Sequence, residues 1–521
     1  VWGGHYEPGT LIWRSCWVTD DGIVECREAL AFPGEQRRAV MLRRIIARDV
    51  TTRLSVVLAP AAGFDAHPLR EAVCGPGGLW YGRVGDLCMR WSGAETAQPT
   101  GPGGCRLAME LTVEAGTHHD LVLELGDRPL PDAPPDPDAC WRATEGAWRR
   151  AVPDLAHVAP TDARHAVAVL RGLTGGSGGM VAAATTSLPE QAAEGRDYDY
   201  RYVRIRDQCY AGQAVAAAGV PALLDDAVRF VSTRLLQDGP RLMPAYRMDG
   251  RPVPSPRRAR PAGLPRWLRP GREPGQRTVP TRRLRRDVAA TGRGRPARPA
   301  GRGRPASAVV AAEAIGLRRH DPDAGIWELA PRRWAHSRLI CAAGLRAYVR
   351  SGAAAQRSEA WTALAAGLVE ETCADSLHPS GRWQRAPGDT GLDGALLLPA
   401  IRGALPAGDP RSVATLDAYV AELADEHFAY RFRHGDRPLG EAEGAFLLCG
   451  FVTALAEHQQ GREVAAFRWF ERNRGVCGPT GLFAEEYDVA QRQLRGNLPQ
   501  AFVHALILEC AVRLAGPWTD S

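Results

Sequence analysis

"AFLLCGFVTALAEH", residues 445–458, places apolar side chains at i, i+3 and i+4 through four turns, the period of a helix with one face in a core. The pattern recurs. Segments 161–173, 205–218, 222–237, 308–318, 334–350, 357–374, 410–425, 442–459, 461–474 and 498–514 all read as helices joined by polar loops. A long series of such helices fits a bundle, a solenoid or a toroid.

The first quarter of the chain obeys another period. "TLIWRSCWV" and "IVECREALAF" flank an Asp-Asp-Gly turn signal, and "AVMLRRIIARDV", "TTRLSVVLAP", "GLWYGRVGDLCMRW" and "CRLAMELTVEAG" follow between Gly and Pro breaks. Strands at such short spacing predict an antiparallel sandwich over 1–126. The Pro/Asp cluster "DRPLPDAPPDPDA" (127–139) opens a linker over 127–160, and the helical domain occupies 161–521. At 521 residues the chain is too long for one ordinary core. The chain starts at Val1 rather than Met, so the β-domain is expected to lack its first strands.

Charge is concentrated in one place. Residues 251–307 hold 17 Arg against Glu273 and Asp287, a balance of +15 where the whole chain carries +6, so the remainder is acidic by nine charges. The same segment has 11 Pro and 7 Gly, a composition that neither continues a helix nor fills a core. One reading is a basic arm for nucleic acid. The other is a shifted reading frame, because all 65 basic residues are Arg, as in a GC-rich gene, and out-of-frame GC-rich codons give Arg, Pro, Gly and Ala. The frame would resume near Ala308. No apolar run reaches about 18 residues, which argues against a membrane span. No secretory leader opens the chain, and a cytoplasmic location is expected. The twelve cysteines include no CxxC pair, which argues against a zinc site and a disulfide framework, and most are expected to be buried thiols.

Three stretches combine charge with aromatic residues: 196–219 ("RDYDYRYVRIRDQCYAGQAVAAAG"), 323–345 ("DAGIWELAPRRWAHSRLICAAGL") and 481–508, which opens "GLFAEEYD". Neighbouring carboxylates repel, so Glu485 and Glu486 form either a solvated turn or a site that needs a proton acceptor and a partner acid elsewhere. Taken with "SLPE" (187–190), "LDGALLLPA" (392–400) and "GEAEGAFLLCGF" (440–451), these stretches resemble glycoside hydrolase family 15, the glucoamylase-like exo-α-glucosidases and related trehalases. The resemblance covers nearly the whole chain except 251–307. It implies an N-terminal antiparallel β-sandwich followed by an all-α (α/α)6 toroid, incomplete around 251–307.

The resemblance also implies roles. Glu485, in Ala-Glu-X-aromatic-Asp, falls on the general base, and Glu328, in Trp-Glu, on the general acid. Acetal cleavage with inversion asks for such a pair, one carboxyl protonated and one ionised, roughly 6.5–9.5 Å apart with a water between them. Arg206 and Asp207 fall on the pair that grips the terminal glucose, and planar guanidinium with carboxylate suits bidentate bonds to hydroxyls. For Trp327, stacking on a sugar and plain core packing both stay open. Glu486 is grouped with the substrate-binding residues, its field helping to keep Glu328 protonated, with a solvent-facing position as the alternative. His336 and His504 read as packing residues. Arg204 departs from the family pattern, which has an aromatic residue there. The implied activity is an inverting exo-α-glucosidase on α-glucans or oligosaccharides, with a trehalase on α,α-trehalose as the alternative. It requires no cofactor or metal and engages neither nucleic acid nor membrane. A helical binding protein with a nucleic-acid arm is the reading from another class.

Overall fold

The computed structural model describes residues 3–19, 22–63, 65–155, 157–186, 188–190, 198–254, 303–353 and 357–519. Most of the Arg-rich segment, 255–302, lies outside the described residues. The described residues form two compact units, divided near Pro153.

The first unit is built on antiparallel sheets, as the alternation predicts. One sheet has nine strands in the order β1-β2-β3-β4-β12-β9-β8-β7-β6, and a second has three in the order β10-β11-β5. In chain order these are β1 (Gly3–Tyr6), β2 (Trp13–Val18), β3 (Ile23–Leu30), β4 (Arg38–Ala47), β5 (Thr52–Leu58), β6 (Ala61–Ala62), β7 (His67–Cys74), β8 (Trp80–Val84), β9 (Leu87–Ser92), β10 (Gln98–Thr100), β11 (Arg106–Val113) and β12 (Thr117–Gly126). Val24, Ile45, Trp80 and Trp91 of the large sheet share one core with Val56, Leu107 and Met109 of the small one. The stretch expected as linker contains a helix, α1 (Pro137–Ala151). Its start was hidden in the proline cluster: Asp136 accepts from the Ala139 N–H at 2.7 Å and Pro137 sits in the first turn, which is cap chemistry rather than loop chemistry. Five of the twelve cysteines are buried and six half-buried, so the expectation that most are buried is only partly met.

The second unit is helical: α2 (Pro160–Gly172), α3 (Ile205–Ala217), α4 (Pro221–Asp238), α5 (Gly303–Arg318), α6 (Ala335–Arg350), α7 (Ser358–Ser376), the short α8 (Leu398–Ile401), α9 (Pro410–Leu423), α10 (Leu447–Gln459), α11 (Glu463–Arg474) and α12 (Ala501–Arg513). The ten helices predicted from sequence match ten of these within a few residues, α8 having escaped, with two informative overshoots. The helix expected from 442 starts at Leu447 because Ala445 and Phe446 pair with Tyr487 and Glu486 in a short sheet completed by Gln493–Arg495. The helix expected from 498 starts at Ala501, after Pro499. No helix among the described residues is long and apolar enough to cross a membrane.

Burial sorts these helices into two kinds. All 13 residues of α10 and 11 of the 13 in α12 are buried, as are 10 of 13 in α3 and 13 of 16 in α6. By contrast α2 buries 6 of 13, α4 6 of 18, α7 6 of 19, α9 5 of 14 and α11 4 of 12. The first group is buried almost all round, although α3 and α6 carry Asp, Gln, His and Arg, and the second buries one face, the burial pattern of inner and outer helices. Apart from α4 and α5, two one-faced helices in succession, the two kinds alternate along the chain, with the buried Gly394–Ile401 stretch counted among the inner, and inner α12 packs against α2, α3 and α10.

A buried ion pair ties two inner segments. Arg402, just after α8, and Glu509 of α12 are 1% and 0% exposed, and the Arg402 guanidinium grips both carboxylate oxygens. Arg513 also donates to Glu509, from Nε to Oε1 at 2.9 Å, so Arg402→Met leaves the buried carboxylate with one arginine instead of two and is expected to lower stability by about 1–3 kcal/mol, and Arg402→Met with Glu509→Leu to recover part of it. Urea unfolding of the three proteins checks this.

Candidate active site

The three charged stretches converge. Arg204 and Arg206 stand at the start of α3, where Val203 and Arg204 pair with Ala245 and Tyr246. Asp207, in the first helical turn, is fully buried, and the Arg206 Nε donates to its Oδ1 at 2.7 Å. A second Arg206 N–H donates at 3.1 Å to the carbonyl of Ile326, so the first stretch holds the loop that carries Trp327 and Glu328. That loop is pinned at its ends by paired backbone bonds between Asp323 and Arg332, 2.9 Å each way.

Glu328 sits in this loop with φ 60°, the left-handed region that non-glycine residues rarely occupy and that the surroundings must enforce. Its side chain is 43% exposed and forms an ion pair with Arg204 at 3.3 Å. The Arg204 guanidinium in turn lies 4.8 Å above the Tyr200 ring. Trp327 is buried, edge-on to Phe446 at 5.5 Å and beneath Arg431 at 5.7 Å. It is packed against these groups and also lines a cavity with His336 and Asp393, so both readings stay open.

Glu485 is buried just before the short sheet, and its carbonyl accepts from the Leu447 N–H at the start of α10. Its Oε2 accepts from the Tyr200 hydroxyl at 2.6 Å. Glu486 does not face solvent, contrary to one of the two expectations: it is 1% exposed, and its Oε2 accepts from the Gly444 N–H at 2.9 Å. Gly444 is required there, because a Cβ would stand 2.8 Å from the Tyr487 carbonyl. Burial pushes the Glu486 carboxyl up to about 7, against the pull of Arg431.

Three participants escaped the sequence reading. Arg431 forms an ion pair with Glu443 and packs over Trp327 and Phe446. Burial works against the charge on Glu443, yet Arg431 and His434 hold its carboxyl down at about 2. Glu190 lies 2.8 Å from the Tyr200 hydroxyl through Oε1. Burial first, and the carboxyls of Glu485 and Glu486 second, push Glu190 up to about 9. Glu443 lay in a quoted stretch, "GEAEG", and Glu190 in another, "SLPE", but neither carried a partner in sequence. Arg431 had no local signal. Of the two histidines read as packing, His504 fits: its ring stacks edge-on to Phe483 at 5.5 Å, Nε2 accepts from the Phe483 N–H, and burial drives its pKa well down. His336 is buried at the start of α6, lining the cavity beside Trp327 and Asp393.

What the arrangement can do follows from its acids. One buried carboxylate is held by a hydroxyl donor, one partly exposed carboxyl faces an arginine, and Asp207 keeps a buried Oδ2 without a hydrogen-bond partner. A buried acceptor left open beside an arginine suits a ligand hydroxyl.

The sequence model of the glycosyl hydrolases, family 15, matches residues 166–276 and 318–512. A trehalase from Mycolicibacterium smegmatis is 27% identical over 562 residues, covering 98% of this chain and 82% of its own length. A trehalase from Mycobacterium tuberculosis is 26% identical, covering 98% and 80%. Among solved structures, a bacterial glucoamylase complexed with acarbose superposes with a TM-score of 0.70 at 12% identity, covering 98% of this chain and 84% of that one.

The raised Glu190 has a consequence for stability. Its folded pKa, about 9, exceeds the ordinary 4.5, so its contribution is fully present below pH 4.5 and is lost as pH rises towards 9. Glu190→Gln cannot ionise and escapes this loss. The melting temperature of Glu190→Gln is expected to gain on the parent steadily from pH 5 to pH 9, as differential scanning fluorimetry across that range reads directly.

Proposed function

The chain belongs to the glycosyl hydrolases, family 15, and from that premise we propose that it is an inverting trehalase, cleaving α,α-trehalose with Glu485 as general base and Glu328 as general acid. It is a glycoside hydrolase. The observation that carries the substrate is the pair of trehalases matched across 98% of the chain. The glucoamylase-like reading, first in the sequence analysis, gives way to its alternative. Its support is a likeness to a glucoamylase at 12% identity, which bears on architecture alone. The alternation of inner and outer helices supports the (α/α)6 toroid, with the first unit as its β-sandwich companion.

In this mechanism Glu485 takes a proton from water as the water oxygen bonds to the anomeric carbon. Glu328 gives its proton to the glycosidic oxygen as the carbon–oxygen bond breaks. The Tyr200 hydroxyl donates to Glu485 Oε2 at 2.6 Å and so holds the carboxylate in place for the water. Asp207 and Arg206 accept and donate to hydroxyls of the first glucose, the open Oδ2 of Asp207 among them. Arg204 stands on the Glu328 carboxyl, so productive binding places the glycosidic oxygen against that carboxyl in competition with the guanidinium. The proposed separation of the two catalytic carboxyls is roughly 6.5–9.5 Å, room for one water.

Inversion at one glucose leaves the other as it was. Proton NMR during the first turnovers of trehalose is therefore expected to show β- and α-glucose in equal amounts, while maltose, maltotriose and isomaltose are hydrolysed more slowly. Release of α-glucose alone would rule out inversion. Glu328→Gln and Glu485→Gln are each expected to lower kcat by about 10²-fold or more. A variant with full rate removes that residue from the site.

A further inference from the structure

We propose that Glu190 is a positioning residue that holds a proton and donates it in a hydrogen bond to Tyr200, so that the single Tyr200 hydroxyl proton is committed to Glu485. The inference deepens the reading above, because it rests on Glu485 acting as the base.

The argument is a count of protons. A tyrosine hydroxyl carries one hydrogen and two acceptor lone pairs. The Tyr200 oxygen lies 2.8 Å from Glu190 Oε1 and 2.6 Å from Glu485 Oε2, both hydrogen-bond distances. One hydrogen cannot serve both contacts at full strength. If both carboxyls were ionised, two anions would share one donor in a buried site, a repulsive arrangement. One of the two acids therefore supplies the second hydrogen.

Surroundings decide which. Glu485 lies in the field of both Arg204 and Arg431. Glu190 is buried and faces the carboxyls of Glu485 and Glu486, with Arg431 the cation among its neighbours. Its raised pKa agrees with the geometric choice. The order that results is Glu190 O–H to Tyr200 oxygen, then Tyr200 O–H to the Glu485 carboxylate. Each link is polarised by the one before it, so the chain strengthens the bond that reaches the base.

The backbone is built for this close approach. Gly496 has φ 89°, and a Cβ on it would stand 3.1 Å from Glu190 Cγ and 4.0 Å from Glu485 Cβ. Its N–H donates to the Pro189 carbonyl at 3.1 Å. Asn497 accepts from Thr185 Oγ1 at 2.9 Å and from the Leu188 N–H at 3.3 Å, and donates to the Tyr198 carbonyl at 2.6 Å. Together these bonds stitch the segment bearing Glu190 to the segment that follows Glu485. Glu190 thus reaches the base without touching the substrate-binding pair.

Two measurements on the full-length chain test the assignment. The infrared difference spectrum at pH 7, parent minus Glu190→Gln, is expected to contain the C=O stretch of a protonated carboxyl, moved to higher frequency in a Tyr200→Phe background where its acceptor is gone. A carboxylate band in its place overturns the proposal, and this readout does not depend on turnover. In trehalose hydrolysis, Glu190→Ala is expected to lower kcat by about tenfold or more and to move the acidic limb of kcat/KM to higher pH, because Tyr200 then donates less strongly. Glu190→Gln keeps an N–H donor and is expected to recover most of the loss. If Glu190 were instead an anion, Glu190→Gln would remove a negative charge beside the base and move that limb to lower pH, and that result refutes the assignment. A protonated Glu190 in a chain without trehalase activity would sink the proposed function and leave the proton where the geometry puts it.

Discussion

Burying four carboxyl groups in one neighbourhood is the constraint around which the helical unit is arranged. Glu190, Glu443, Glu485 and Glu486 are all at most 9% exposed, and each would prefer water when ionised. Two guanidiniums, a hydroxyl and a protonation pattern offset the penalty. Arg431 takes Glu443 outright and reaches the fields of Glu485 and Glu486. Arg204 acts on Glu485 and Glu328 while covering the Tyr200 ring. The remaining acids answer by rising in pKa. A site assembled this way has its charge states fixed by position before any substrate arrives.

The inner helices exist to deliver those groups. The starts of α3 and α10, and the segment that precedes α12, all carry site residues: Arg206 and Asp207, the Leu447 N–H on the Glu485 carbonyl, and the Glu485–Gly496 stretch. Helix termini are where backbone leaves its regular path and polar groups go unpaired, so the starts of these helices are where the site residues gather. The strained backbone of Glu328 fits the same picture, since a loop pinned between Asp323 and Arg332 can hold a conformation that a free loop would relax.

Periodicity made the elements legible, and proximity in sequence limited what could be read of the site. The helix at 445–458 announces itself because its apolar spacing is local. Helix α1 escaped because Asp136 and Pro137 serve equally as turn signals and as cap and first-turn residues, and the proline cluster before them decided the reading. Glu485 and Glu328 were found through motifs, whose neighbours travel with them in the chain. Glu486 was left between two fates because nothing at positions 484–488 reveals the Gly444 N–H that buries it. Glu190 and Glu443 were quoted within stretches and passed over for the same reason: Glu485 is far from Glu190 in the chain, and Tyr200 and Arg431, though only 10 and 12 residues away, give no sequence signal that they meet these acids. A carboxyl's role is set by its partners in space, and single-sequence reading supplies those only where a family pattern stands in for them.

The alternation of helices bears on the Arg-rich segment. From α2 to α12 half-buried and buried helices take turns, with the buried Gly394–Ile401 stretch keeping the order, and the alternation is interrupted once among the described residues, between α4 and α5. Both of these bury one face only, and they pack on each other. Between them lie residues 239–302, of which 255–302 lie outside the described residues. The family match also stops at 276 and resumes at 318, so it breaks off inside the same interval. Residues 251–307, with 17 Arg and 11 Pro, have a composition that neither continues a helix nor fills a core. The break in the helical order, the gap in the family match and the change of composition fall in one interval of the chain.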